Sequence, residues 1–104
     1  MTMLIMKSSG KLINLYNPSM PTFSLPPETK EMTDRFFSAL EALSKENVIR
    51  GRGTFVRRYG IDLRNFYKVR DYKIRIKPEW LVYLIRDYNV SAEWLMTGRG
   101  EMFK

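Results

Sequence analysis

The sequence predicts an all-α fold, five helices on one core, preceded by an amino-terminal arm. Three observations predict it. A chain of 104 residues, 44% apolar and 13% aromatic, carries enough hydrophobic mass for a single core. From about Glu28 onward, apolar residues recur at three- and four-residue intervals. Proline, glycine, asparagine and serine interrupt those periods at the places where helices start and stop. The chain therefore divides into residues 1–27, an arm, and residues 28–104, a helical domain.

The arm holds four of the five prolines and shows no helical period. Within it, Met3–Lys7 and Lys11–Tyr16 flank Ser8, Ser9 and Gly10, the pattern of two short strands around a turn. A lone hairpin is marginal in water, so an ordered one packs on the domain or on a second subunit.

The first helix is expected over Glu28–Glu46. Pro26 and Pro27 precede it, Glu28 and Glu31 suit its dipole, and Met32, Phe36, Phe37, Leu40 and Leu43 share one face. Gly51 and Gly53 break the pattern, a short helix runs over Thr54–Tyr59, and Gly60 stops it. Asp62 caps a third helix ending at Arg70, with Leu63, Phe66 and Val69 repeating every three residues and facing largely inward. Tyr72 to Lys77 reads as a linker. Pro78 opens a fourth helix with the broad apolar stripe Trp80, Leu81, Leu84, Ile85 and Tyr88, closed by Asn89. Ser91 caps a last turn through Trp94 and Leu95, and Gly98 and Gly100 let the chain double back. The predicted core is Phe36, Leu40, Phe55, Ile61, Phe66, Leu81, Leu84, Ile85 and Trp94.

Charge is unevenly placed. Between Arg50 and Lys77 lie ten basic and two acidic residues, a net +8, while the rest of the chain is at −1 within a total of +7. Such a block fits a polyanionic partner, because neutralised phosphates release their condensed counterions. Reactive chemistry is poorly provided for. With no cysteine and no histidine, the chain lacks thiol nucleophiles, zinc-thiolate sites, the commonest general base and the commonest transition-metal ligand. An enzyme is not expected, nor is a cofactor or a metal. No apolar run reaches the roughly 20 residues of a bilayer span, and Met1–Met6 has no leading basic region of the signal-peptide kind. The sequence points to the cytoplasm.

Two short helices joined by a glycine turn, the second capped by a short polar residue, are the parts of a helix-turn-helix. Phe55, Val56, Tyr59, Ile61, Phe66 and Val69 fall where its two helices must touch. The segment from Phe55 to Asp62 resembles the second helix and turn of lambda-repressor-like regulators. The run Val90-Ser91-Ala92-Glu93-Trp94-Leu95-Met96-Thr97-Gly98-Arg99-Gly100-Glu101-Met102-Phe103 is similar to the ending of many phage-type repressor DNA-binding domains. Three positions depart from that pattern. Arg52-Gly53-Thr54 stands where the family often has a Thr-Gln pair, Val56 where it often has alanine, and Arg70-Asp71-Tyr72-Lys73 where an Asn-Gly usually follows the recognition helix.

The resemblance implies that the third helix enters the major groove of double-stranded DNA. The outward face would then carry Arg64, Tyr67, Lys68 and Asp71, at offsets 0, 3, 4 and 7. Arg64 and Lys68 suit guanine O6 and N7, Tyr67 a phosphate or a thymine methyl, and Asn65 at the edge an adenine. Leu63 stands where similar repressors place a polar base reader; it either touches thymine methyls or is held by the arm. Arg52, Thr54, Arg57, Lys73, Arg75 and Lys77 fit backbone phosphates, which position rather than specify. The reading is a sequence-specific transcriptional regulator, a phage- or mobile-element-type repressor without a peptidase domain, acting as a homodimer. Dimer contacts are expected from the arm, the fourth helix or the chain end, since the sequence stops at Lys104. The alternative is a protein-interaction module, an antirepressor or adaptor, for which the outward face of the third helix would be apolar or of mixed charge. An RNA-binding role ranks below both, since the sequence lacks exposed aromatic platforms on a sheet.

Overall fold

A computed structural model describes residues 24–104. Residues 1–23, and with them the hairpin expected over Met3–Tyr16, lie outside the described residues; the last part of the expected arm, from Ser24, is described, and its Pro27 already belongs to the first helix.

Five helices follow one another: α1 Pro27–Lys45, α2 Arg52–Tyr59, α3 Leu63–Arg70, α4 Pro78–Tyr88 and α5 Ala92–Thr97. Among the described residues the fold is all-α, its one β-type pairing being an isolated antiparallel bridge between Val90 and Phe103. Helix α1 is the central element, packed against α2, α3 and α5. It starts where Pro27 occupies the first turn and needs no N–H partner. Thr33 is its one buried polar side chain, and that hydroxyl is satisfied by donating to the Thr29 carbonyl at 2.8 Å.

Phe36, Phe37, Phe55, Phe66 and Trp80 form the centre of the core, with most neighbouring rings edge-on or tilted at 5.1–6.0 Å. Leu40, Leu43, Val69, Leu84 and Leu95 complete it from four helices. Of the predicted core, Ile61, Ile85 and Trp94 are corrected outward: they are half-buried and pack against its rim. Four loop residues are buried instead: Leu25 before α1, Ile49 after it, Ile76 before α4 and Val90 before α5.

Helix starts and stops follow the local chemistry. Asp62 accepts from the Arg64 N–H at 2.8 Å and Ser91 from the Trp94 N–H at 3.2 Å, each satisfying an orphan donor of the first turn. Gly60 ends α2 in the left-handed conformation, φ 63°, which glycine adopts without steric cost. Helix α2 begins at Arg52, two residues before the predicted Thr54, because Gly51 is extended and serves as its cap. The carboxyl end folds back as expected: Gly98 and Gly100 both have φ 81°, and the Ser91 N–H donates to the Met102 carbonyl at 2.8 Å. One clamp on this end is invisible to local reading. Arg35 of α1 donates from Nε to the Leu95 carbonyl at 2.8 Å and from Nη2 to the Met96 carbonyl at 3.2 Å, filling orphan acceptors at the end of α5. A Cβ at Gly98 would lie 3.2 Å from that guanidinium, a second reason for glycine there.

Candidate nucleic-acid interface

Three residues, Gly60, Ile61 and Asp62, separate α2 from α3. The Ile61 N–H reaches back to the Val56 carbonyl at 3.0 Å, and the Phe66 N–H bonds to the Asp62 carbonyl at 2.9 Å, so turn and helix start form one continuous hydrogen-bonded unit. Phe66 and Val69 are fully buried and fix which side of α3 faces out. That side presents Leu63, Arg64, Tyr67 and Lys68, all exposed. The spacing of α3 alone places Leu63 inward with Phe66 and Val69; instead it is 49% exposed. Tyr67 is 41% exposed.

Two columns result on this face, each one helical turn long. Leu63 and Tyr67 make an apolar column; Arg64 and Lys68 make a cationic one beside it. Asp71, the acidic residue of the same face, forms an ion pair with Arg70 at 3.1 Å, and Arg70 also lies over the Tyr67 ring at 4.6 Å from its centroid. Sequence reasoning passed over Arg70, although its three-residue offset from Tyr67 was a sufficient signal.

The remaining predicted residues separate into groups. Asn65 turns away from the outward face; half-buried, it lines a cleft of about 240 Å³ with Tyr59, Gly60, Asp62, Lys77 and Tyr83. Lys77 sits in that cleft as the N-cap residue of α4. Arg52, at the start of α2, lies over the Phe37 ring at 5.3 Å, while Thr54 beside it is half-buried, its N–H bonded to the Gly51 carbonyl at 3.1 Å. Arg57 is exposed and folds along α2 over Gly53, where a Cβ would meet it at 3.2 Å. Beyond α3, Lys73 is exposed, and its N–H donates to the Lys68 carbonyl at 2.8 Å. Arg75 reaches to α1, donating to the Thr29 hydroxyl at 3.4 Å.

The loop after α3, which departs from the Asn-Gly pattern, turns through Tyr72 with φ 64°, a costly conformation for an aromatic residue. Its hydroxyl donates to the Asp34 carboxylate and Lys30 lies over its ring at 5.6 Å, so contacts with α1 hold it there. The hydrogen bond to Asp34 raises the Tyr72 pKa above its ordinary value, and burial and the carboxylate charge add to the effect.

On the α4 side, charged groups are bound to one another. The Arg86 guanidinium donates twice to Asp87, at 2.8 and 2.7 Å, and the Tyr59 hydroxyl donates to the same carboxylate. Asp87 is held well below the usual carboxylate range, first by Arg86 and then by Tyr59. Burial, with the bond to Asp87, pushes the Tyr59 phenol up. The Tyr59 ring stacks on Tyr83 at 4.0 Å and 5°, and Arg58 donates to the Tyr88 hydroxyl at 3.3 Å.

No described helix is long and apolar enough to cross a membrane. No group of metal-ligating side chains occurs among the described residues. No family model matches the chain, and no curated protein and no solved structure is significantly similar to it.

Proposed function

We propose that this chain is a sequence-specific, double-stranded-DNA-binding transcriptional regulator of the phage-repressor type. In this reading α2, the Gly60–Asp62 turn and α3 act as a helix-turn-helix within a lambda-repressor-like bundle. The observation that carries it is the outward face of α3, where Arg64 and Lys68 stand exposed on a helix anchored from behind by Phe66 and Val69. A helix so anchored inserts into the major groove as a rigid rod, with forked and ammonium donors aimed at base edges. Arg52, Arg57 and Lys73 supply positive charge around it for phosphates. Pairs of half-sites call for a homodimer with its two α3 helices about 34 Å apart.

A second reading, a protein-interaction module, draws on a specific observation as well: half of the same face is apolar, through Leu63 and Tyr67. One experiment separates the two. Binding to random duplex DNA, followed by fluorescence anisotropy over a salt series, should weaken with a log–log slope of about −0.9 for each phosphate neutralised. A flat response, or no binding at low salt, overturns the DNA reading in favour of the interaction module.

A further inference from the structure

We infer that Tyr72 is a positioning residue for DNA binding: latched to α1 by its hydroxyl and its ring, it holds Lys73 against the end of α3, where the ammonium meets a backbone phosphate. This rests on the DNA-binding reading and deepens it, by giving a residue that itself touches no DNA control over one that does.

The end of α3 is closed by two nested hydrogen bonds: the Tyr72 N–H donates to the Val69 carbonyl at 3.0 Å and the Lys73 N–H to the Lys68 carbonyl at 2.8 Å. That pair of bonds requires a left-handed residue at the position of Tyr72, which glycine takes most readily and asparagine next. Among the described residues, the left-handed positions are Gly60, Gly98, Gly100, Asn47, Asn89 and Tyr72, so the tyrosine is the one that breaks the rule. No local preference places an aromatic side chain there. Its contacts do. The hydroxyl donates to the Asp34 carboxylate and Lys30 lies over the ring at 5.6 Å, both partners belonging to α1.

The latch also fixes its neighbour. Before Lys73 the Tyr72 side chain is turned to α1; after it Ile74 packs on the rim of the core, Arg75 donates to the Thr29 hydroxyl of α1 at 3.4 Å, and Ile76 is buried. Lys73 is thus an exposed cation between two anchors on α1, with its backbone bonded to α3. A cation whose backbone is fixed before contact loses less entropy on meeting a phosphate. Glycine in place of Tyr72 would keep the left-handed turn without the latch, and the ordering of the segment would then have to come from DNA-binding energy.

The test is a double-mutant cycle in the full chain, with affinity for duplex DNA read by fluorescence anisotropy over a salt series and each variant first shown by thermal melting to be folded. Lys73→Ala should weaken binding by a similar factor on every sequence and lower the log–log salt slope by about 0.9, the weight of one phosphate. Tyr72→Gly should weaken binding as well, and adding Lys73→Ala to it should cost about half or less of what Lys73→Ala costs alone. Tyr72→Phe, which loses only the bond to Asp34 and changes no charge, should act in the same direction and show the same coupling. If both Tyr72 variants bind as the wild type does, or if their losses and that of Lys73→Ala add in full, the positioning role is overturned while DNA binding stands. If the wild type binds no duplex DNA at low salt, the DNA reading fails and this inference with it.

Discussion

The α2–α3 region and the α4–α5 region are built from the same kinds of helix, yet they handle charge in opposite ways. Residues 50–77 carry ten basic and two acidic residues; residues 78–104 carry three basic and four acidic. In the second region the guanidinium of Arg86 is engaged twice by Asp87. In the first, Arg64, Lys68 and Lys73 are exposed, and the ion pair formed there is Arg70 with Asp71. Like charges left side by side raise the energy of the folded chain, and a polyanionic partner relieves that cost. The comparison teaches that an uncompensated surface points to a partner where a compensated one points to structure. Each expected outcome below tests that division.

The largest effect should come from the support beneath the uncompensated face. Phe66 is fully buried between Phe37 at 5.2 Å and Trp80 at 5.8 Å. Phe66→Ala should cost about 3–5 kcal/mol of stability, read by thermal or urea denaturation, and should remove DNA affinity together with the fold. A variant that melts normally would mean that α3 is not anchored through this ring.

Next in size is the contrast between two arginines. Arg64→Ala should weaken binding to the best DNA site by about 1–3 kcal/mol and relax preference at one base pair, with the melting temperature unchanged. Arg86→Ala, on the compensated side, should leave DNA affinity where it was. If Arg64→Ala weakens specific and random DNA equally, Arg64 touches phosphate and α3 lies differently on the duplex. If Arg86→Ala weakens binding as much, the division between the two regions is wrong.

Much of this arrangement was legible because the signals are local. The fourth helix was read at its observed bounds, Pro78–Tyr88, since proline, apolar stripe and asparagine all agree there. Asp62, Ser91 and Gly60 were legible for the same reason: a cap or a left-handed stop depends on one residue and its immediate neighbours. The three-residue repeat alone turns Leu63 inward with Phe66 and Val69, whereas the structure exposes it, as its place among the expected base-contacting residues requires. Asn65 was put at the edge of the outward face, while the structure turns it into the cleft beside Lys77, a distinction set by where α4 crosses. Leu25, Ile49, Ile76 and Val90 are buried outside the helices, where no helical period marks them.

The Arg35 clamp is the long-range contact with the plainest consequence. Bridging α1 to the carbonyls of Leu95 and Met96, it lies outside the basic segment 50–77. Arg35→Ala leaves those acceptors to water and should cost about 1–2 kcal/mol in denaturant melts. Arg35→Lys should recover only part of it, since an ammonium cannot span both carbonyls with the planar fork. DNA affinity measured well below the melting temperature should not change. A drop in affinity without a drop in stability would place Arg35 in the interface instead.

The smallest effect is set by pH and acts on Asp87. Its carboxyl is held below the usual range by the two bonds from Arg86 and the bond from Tyr59, so folding favours the ionised form. A depressed folded-state value stabilises the protein above the unfolded carboxylate value of about 3.9, and that contribution fades as the pH falls through the folded one. Wild type should therefore melt at a higher temperature than Asp87→Asn at pH 6 to 8, and the gap should narrow steadily below about pH 4. Arg86 is solvent-exposed, so the gap should be small and should shrink further in high salt. Affinity for DNA near neutral pH should be the same for both proteins, because the carboxylate already has its counter-charge and adds little field at α3. A gap independent of pH would show that the asparagine disturbs packing around Tyr59 and not charge. Tighter DNA binding by Asp87→Asn would show that the carboxylate repels the phosphates, and the two regions would then share one electrostatic surface.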